Sequence, residues 1–401
     1  MMENSEHWKQ LIRAETDAVF DTIRDIRRKI HSNPELSFEE FKTSALLKEL
    51  LAQHSIPFTE GWAKTGILAS IQGSGAGKTI ALRGDMDALP IHETNHTDYT
   101  STVPGVMHAC GHDVHSACVL GAGIILNKLR NQFPGVVNLL FQPGEEVLPG
   151  GARLMLEEGV FDNQRPSGVI AQHVYPSLEA GKVGFREGKY MASTDEIYLT
   201  IKGRGGHGAL PQHLNDPIVA AAQVILSLQQ VSSRLAPPAI PTVLSFGKVI
   251  AEGATNVIPD IVQLEGTFRT MDESWRMKAH EHIRRIATET AHAYGVKADV
   301  DIRKGYPVLT NDPELTRRSK AAAAEYLGEE NVEELDIRMT AEDFAWIAME
   351  YPACFYRLGT AGTNGGFTSG VHTSTFDIDE EALRTGSGLM AFLTIKELLA
   401  I

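Results

Sequence analysis

The densest run of chemically able side chains is VMHACGHDVHSA, which sets His108, Cys110, His112, Asp113 and His115 within eight positions at the head of a helical pattern. Thiolate and imidazole are good ligands for borderline divalent cations, and two ligands one residue apart can clamp a cation from a turn. Three more segments place acids or imidazole after short apolar runs. TIALRGDMDALP carries Asp85 and Asp87, VVNLLFQPGEE carries Glu145 and Glu146, and GVIAQH ends in His173. Ligands of open α/β sheets bind beyond the carboxyl ends of the strands, so these ends point to one crevice. The same residues admit plainer readings. A strand-end Asp is often a turn residue, and Glu145–Glu146 suits the acidic first turn of a helix. Cys110 could be a small buried hydrophobe or the nucleophile of an amidase with a neighbouring histidine. His108 and His115 fit either partners of ligands or hydrogen-bonded scaffold, and Cys118, on an apolar helical face, reads as core.

Such a crevice needs elements to hold it. Apolar spacing predicts a helix over residues 8–30, and Ser37 and Glu40, at capping-box spacing, predict a second helix starting near Phe38. Short apolar runs at 66–71, 79–82, 136–141 and 169–171 alternate with helical segments such as 114–129, the rhythm of a mainly parallel sheet flanked by helices. Near Met191 the pattern changes. Strands at 196–201, 242–249, 261–268 and 296–302 and helices at 217–231 and 273–293 follow in the order β-α-β-β-α-β, a ferredoxin-like α+β unit. The α/β rhythm then resumes, with helices at 313–326, 341–349 and 380–399. The predicted organisation is an α/β domain of residues 1–189 and 305–401, interrupted by an inserted domain of residues 190–304.

Composition excludes several classes. With 37 basic against 51 acidic residues, the formal net charge is -14, the wrong sign for general attraction to nucleic acid or an anionic membrane. The first thirteen residues are polar where a signal peptide needs an apolar run, and no stretch approaches the roughly 20 apolar residues of a membrane span. Three cysteines are too few for a disulfide framework, so the expected compartment is the cytoplasm.

Taken in order, GDMDALP, MHACGHDVH, QPGEE, GRGGHGALP and VHTSTFDIDE resemble the motifs of the aminoacylase and carboxypeptidase G metallohydrolase family. The similarity is greatest to its amidohydrolase branch, which includes hippurate hydrolase, N-acetyldiaminopimelate deacetylase and the auxin-conjugate hydrolases. It spans about residues 26–393. The resemblance implies a catalytic domain interrupted by a lid that forms homodimers or tetramers. It implies two divalent cations per subunit, manganese or zinc with cobalt or nickel also compatible, on Cys110, His112, Glu146, His173 and His372. Glu145 becomes the general base, and His207 in GRGGHGALP the donor that stabilises the oxyanion, in the family from a partner subunit. Asn256 in TNVIP and Arg269 in GTFRT resemble positions that hold the substrate. Many relatives carry His-x-Asp where this chain has Asp85-Met86-Asp87. The Cys-Gly-His motif takes over that duty, which leaves contact between Asp85 and metal open and gives Asp87 an orienting or polarising role. The implied reaction is hydrolysis of an N-acyl amino acid. A dipeptidase or carboxypeptidase of the same family, and a non-enzymatic binder of metal or amino acids, are the competing expectations.

Overall fold

The computed structural model describes residues 2–362 and 366–400. The chain divides into two compact units, Met1–Gly188 with Thr310–Asp336 and Asp343–Ile401, and Lys189–Leu309 with Ile337–Glu342. Each unit has its own apolar core.

An eight-stranded sheet organises the first unit, in the spatial order Phe58–Trp62, Gly66–Gln72, Val136–Gln142, Thr79–Asp85, Gly168–Glu179, Ala353–Ala361, Val183–Phe185, Val332–Glu334. Its four central strands are mutually parallel, and residues such as Val137, Leu139, Leu82 and Ile170 in them are wholly buried. Strands covered on both faces read as continuous apolar runs, which is how they stand out in the sequence. The helices Met2–Ser32, His112–Leu129 and Glu381–Leu399 pack on one another, and Ile12, Ile23, Ile26 and Ile30 form the inward stripe of the first at helical spacing.

Two elements depart from the sequence pattern for reasons that bear on the site. The second helix begins at Phe41 rather than near Phe38, and no side chain caps it. Ser37 instead donates to Asp87, and the Glu40 carboxylate accepts from the amides of Phe38 and Gly144 and from the Thr65 hydroxyl. The capping-box residues thus serve a tertiary contact. The strand containing His173 does not end there but runs on to Glu179. Beyond Ala171 it loses its pairing with Thr79–Asp85 while remaining paired with Ala353–Ala361, so His173 lies past the end of the ladder to that neighbour.

In the second unit, strands Thr242–Ile250, Ile261–Thr270, Ser193–Lys202 and Lys297–Lys304 form an antiparallel sheet in that spatial order. The helices Pro217–Gln230 and Glu273–Ala293 pack against it and each other. The carboxylates of Asp216 and Asp272 cap them at their first amides. This is the β-α-β-β-α-β order read from the sequence. The placement of residues 305–309 and 337–342 differs from the predicted boundaries. Tyr306 accepts from the Thr194 amide at 3.0 Å, and Arg338 and Thr340 accept from the Ala192 amide at 3.1 and 3.0 Å, so both stretches belong with the inserted unit. Among the described residues, no helix is long and apolar enough to cross a membrane.

Candidate metal centre

The Cys-Gly-His turn shows why its middle residue is glycine. Gly111 has φ +82°, and a Cβ there would come within 2.5 Å of a Val174 methyl, so a side chain would be both strained and blocked. Cys110 and His112 flank this turn at the head of the helix His112–Leu129. Gly144 plays a similar part in QPGEE. At φ +59° it lies beneath the Phe38 ring, 2.4 Å from where a Cβ would be, and turns the chain so that Glu145 and Glu146 follow the buried strand.

The donors meet. Cys110 Sγ lies 3.4 Å from His173 Nε2 and 3.3 Å from His372 Nε2. His372 Nε2 is 3.2 Å from Glu146 Oε1, while His112 Nε2 is 3.9 Å from Glu146 Oε1 and 4.0 Å from Glu145 Oε2. One set, Cys110, His112 and His173, and another, Cys110, Glu146 and His372, each bring their ligand atoms within 4.8 Å of one another. Zinc-to-ligand distances of about 2.0–2.3 Å put neighbouring tetrahedral ligands roughly 3.3–3.8 Å apart, close to these spacings.

Hydrogen bonds orient the imidazoles. His112 Nδ1 faces Asp87 Oδ1 at 3.1 Å and His173 Nδ1 donates to the Val174 carbonyl at 2.9 Å, which leaves each Nε2 lone pair directed at the cluster. His112 Nε2 is buried yet makes no hydrogen bond. Orphaned buried polar atoms are costly, and a cation among them removes the cost. The set of sulfur, nitrogen and oxygen donors therefore fits a pair of borderline divalent ions.

Asp87 ties three segments together, because its Oδ2 accepts from Ser37 Oγ at 2.7 Å and from the Glu146 amide at 2.9 Å. Asp85 is engaged otherwise: Arg83 Nη1 donates to it at 2.6 Å and His115 Nδ1 lies 2.6 Å from it, while His115 Nε2 accepts the Val174 amide at 2.9 Å. With both ring nitrogens used, His115 is scaffold here. His108 is fully buried with neither nitrogen hydrogen-bonded, and burial pushes its pKa down to about 3. His372 has a left-handed φ of +62°, held by its amide bond to the Ala109 carbonyl at 2.7 Å.

Hydrogen bonds to Cys110 and then Glu146 raise His372 to about 10. Burial, then the charge of Glu146, pushes the Cys110 thiol up. Burial disfavours a charged His112, but Asp85 and Cys110 outweigh it and raise its pKa. A cation among the same atoms displaces those protons.

His207, Asn256 and Arg269 all lie in the second unit. His207 pairs with Val257 across a short antiparallel ladder, and the Gly208 amide donates to the Asn256 carbonyl at 2.8 Å, so His207 and Asn256 are neighbours on an exposed loop pair. Nδ1 of His207 accepts the Ala209 amide at 3.1 Å, which puts the ring proton on Nε2, facing outward. Arg269, on the strand Ile261–Thr270, is half-buried without a hydrogen bond or ion pair among the described residues. Burial lowers its pKa, with Asp195 opposing. Sequence reasoning missed Ser37, Glu40, Arg83 and Asp343, which support the cluster from its far side. A lone arginine inside the apolar run TIALRGD was the available signal, since a charge in a buried strand demands a partner.

The family model described as peptidase family M20/M25/M40 matches residues 81–396. The chain belongs to this family. Among M20 relatives, it is 38% identical over 381 residues to an N-acetylcysteine deacetylase of Bacillus subtilis, covering 94% of this chain and 98% of the relative. It is 37% identical over 379 residues to thermostable carboxypeptidase 2 of Saccharolobus solfataricus, covering 94% and 95%. A solved structure of the Bacillus subtilis YXEP protein, described as a dinuclear metal-binding peptidase of the M20 family, matches with a TM-score of 0.82 at 36% identity, covering 96% of this chain and 99% of that one.

Proposed function

We propose that this M20 hydrolase cleaves the amide bond of N-acyl amino acids, releasing a carboxylic acid and the free amino acid. Cys110, His112, Glu146, His173 and His372 would hold two divalent cations, manganese or zinc by preference and cobalt or nickel by compatible chemistry. When bound, such a pair polarises a carbonyl and acidifies water. The observation that carries the reading is the second glutamate: Glu145 directs Oε2 toward His112 at 4.0 Å while Glu146 meets the other donors. A binder of metal or amino acids has no use for it. In the proposed reaction Glu145 accepts a proton from the attacking water and delivers one to the leaving nitrogen as the C–N bond breaks. Asp87 keeps the His112 tautomer in place.

The family resemblance supplies the other roles. His207, with its proton on the outward nitrogen, would donate to the oxyanion. Arg269, lacking an internal partner, would grip the substrate's free carboxylate with help from Asn256. Assembly as a homodimer or tetramer through the second unit would let His207 serve a partner's site. The reading needs no nucleic acid or membrane, in keeping with the acidic balance, and places the enzyme in the cytoplasm, where its three free, buried cysteines stay reduced. Inhibition by a chelator that manganese or zinc reverses would exclude a cysteine-nucleophile amidase at Cys110.

A carboxypeptidase is the second reading, favoured by the similarity to the Saccharolobus enzyme. Both act on an amide beside a free carboxylate. Metal-replete protein assayed on acetyl, benzoyl and indole-acyl amino acids against a set of dipeptides decides between them. The proposal requires faster turnover of the acylated compounds; a preference for dipeptides replaces it with the second reading, and no hydrolysis at all revives the binder.

A further inference from the structure

Asp343 is fully buried in the first unit, and three elements converge on its carboxylate. Oδ1 accepts from Arg83 Nη2 at 2.8 Å and Gln142 Nε2 at 2.9 Å, and Oδ2 from Gln142 Nε2 at 2.8 Å and the Ala152 amide at 3.0 Å. These bonds fix the backbone at residue 343, whose own amide donates to Glu145 Oε1 at 3.3 Å. The other carboxylate oxygen of Glu145, Oε2, is the one that faces His112. Arg83 extends the chain in the opposite direction, through Asp85 and His115 to the amide of Val174, next to His173.

We propose that Asp343 is the positioning residue of Glu145, an assignment that rests on reading Glu145 as the base. A glutamate beside a pair of cations faces two hazards. It can rotate away, since a long side chain has many rotamers open to it, or it can be captured through both oxygens as a further ligand and lose its capacity to take a proton. An amide on Oε1 counters both, keeping one oxygen off the cations and aiming the other at the cluster. The amide is only as steady as the backbone bearing it, and Arg83, Gln142 and Ala152 steady that backbone.

The test is Asp343→Asn in the full, metal-replete chain, made alone and together with Glu145→Gln. The substitution keeps the size of the side chain but removes the charge facing Arg83. Misplacing a catalytic group by about 1 Å costs on the order of 100-fold, so kcat is expected to fall roughly 10- to 100-fold. The cation content and KM should stay near wild type, because cation ligation and substrate contacts are untouched. In the Glu145→Gln background the same change is expected to move the residual kcat less than about twofold, since residues that act through one another are not additive. Gln142→Met, which removes one partner of the carboxylate and leaves Asp343 intact, is expected to show a smaller loss of the same kind and serves if Asp343→Asn does not fold. Equal losses in both backgrounds, loss of cations in step with activity, or a rise in KM with kcat unchanged would each overturn the assignment of Asp343. Wild-type turnover by Glu145→Gln alone would instead remove the reading of Glu145 on which it stands.

Discussion

Two buried clusters, one in each unit, are built from similar residue types. In the second unit, Asp195 receives Arg276 through Nη2 at 2.6 Å and Nε at 3.0 Å, His280 Nε2 at 2.6 Å and the Gly305 amide at 3.2 Å. The remaining donors of Arg276 go to Glu273 and to the carbonyls of Thr194 and Gly305. None of these three residues has a buried atom left unpaired. In the first unit, the cluster around Cys110 is also built from buried polar groups, yet His112 Nε2 lacks a hydrogen bond and His372 sits in a left-handed conformation. The closed cluster holds a fold together. The open one gathers donors whose chemistry fits cations. Burial and charge alone do not separate a structural cluster from a reactive one; the convergence of sulfur, nitrogen and oxygen donors on one point does.

The largest effect that follows belongs to the open cluster. Glu145→Gln should lower kcat by about 10²–10⁴-fold, the range for a lost general base, with cation content and thermal unfolding unchanged, as read by metal analysis and calorimetry. A fall in cation content would make Glu145 a ligand and blur its distinction from Glu146.

In the closed cluster the effect falls on stability. Asp195→Asn removes the more buried of the two carboxylates that face Arg276, with Glu273 remaining, and should destabilise the second unit by about 1.5–3 kcal/mol. The pH dependence has a definite sign. Burial pushes the Asp195 carboxyl up, but His280 and Arg276 outweigh it and hold the carboxyl below its usual value. The stability it contributes is then fully present above the unfolded pKa of Asp and is lost as pH falls through the lower, folded value. Hydrogen exchange in the helix Glu273–Ala293 should accelerate in that acid window in the wild type, with the variant already fast at neutral pH. Equal protection in both proteins would contradict the structural role given to the cluster.

Asp87→Asn should weaken cation affinity or activity by about 10- to 100-fold, typical for a group that orients a ligating imidazole, measured by competition with a chelator. The smallest effect is expected at His372. Replacing it with glycine relieves the left-handed backbone at about 1–2 kcal/mol, less the greater freedom of glycine in the unfolded chain. Loss of the His372 contacts to Cys110 and Glu146 offsets that relief, so the stability of the metal-free protein should change by less than about 1 kcal/mol while cation affinity falls. A destabilised metal-free variant would mean that the open cluster, like the closed one, is held by its own contacts.

The sequence reveals most about the first of these clusters where it is locally dense. Cys110 and His112 lie one residue apart, and the glutamate pair follows a Pro-Gly turn, so local spacing alone exposes them. The β-α-β-β-α-β order is legible for a similar reason, since strand and helix periods alternate cleanly there. Arg83 and Asp343 escaped because their meaning is relational: they are 260 positions apart, and neither is informative until the sheet brings them together. Residues 341–349 carry a helical pattern, yet the helix begins only at Ala345, with Asp343 engaged by the cluster's supports. Ser37 and Glu40 fit a local motif and form a tertiary one. In each case the misreading lies where a local preference yields to a demand of the site.

The most direct test of the whole account is anomalous diffraction from crystals of metal-replete protein. It should show two cations per chain, one bonded to Cys110, His112 or His173 and the other sharing Glu146 and His372, with no cation at Asp195. Crystals that show no cation among these donors, or a Cys110 sulfur turned away from both sites, would contradict it.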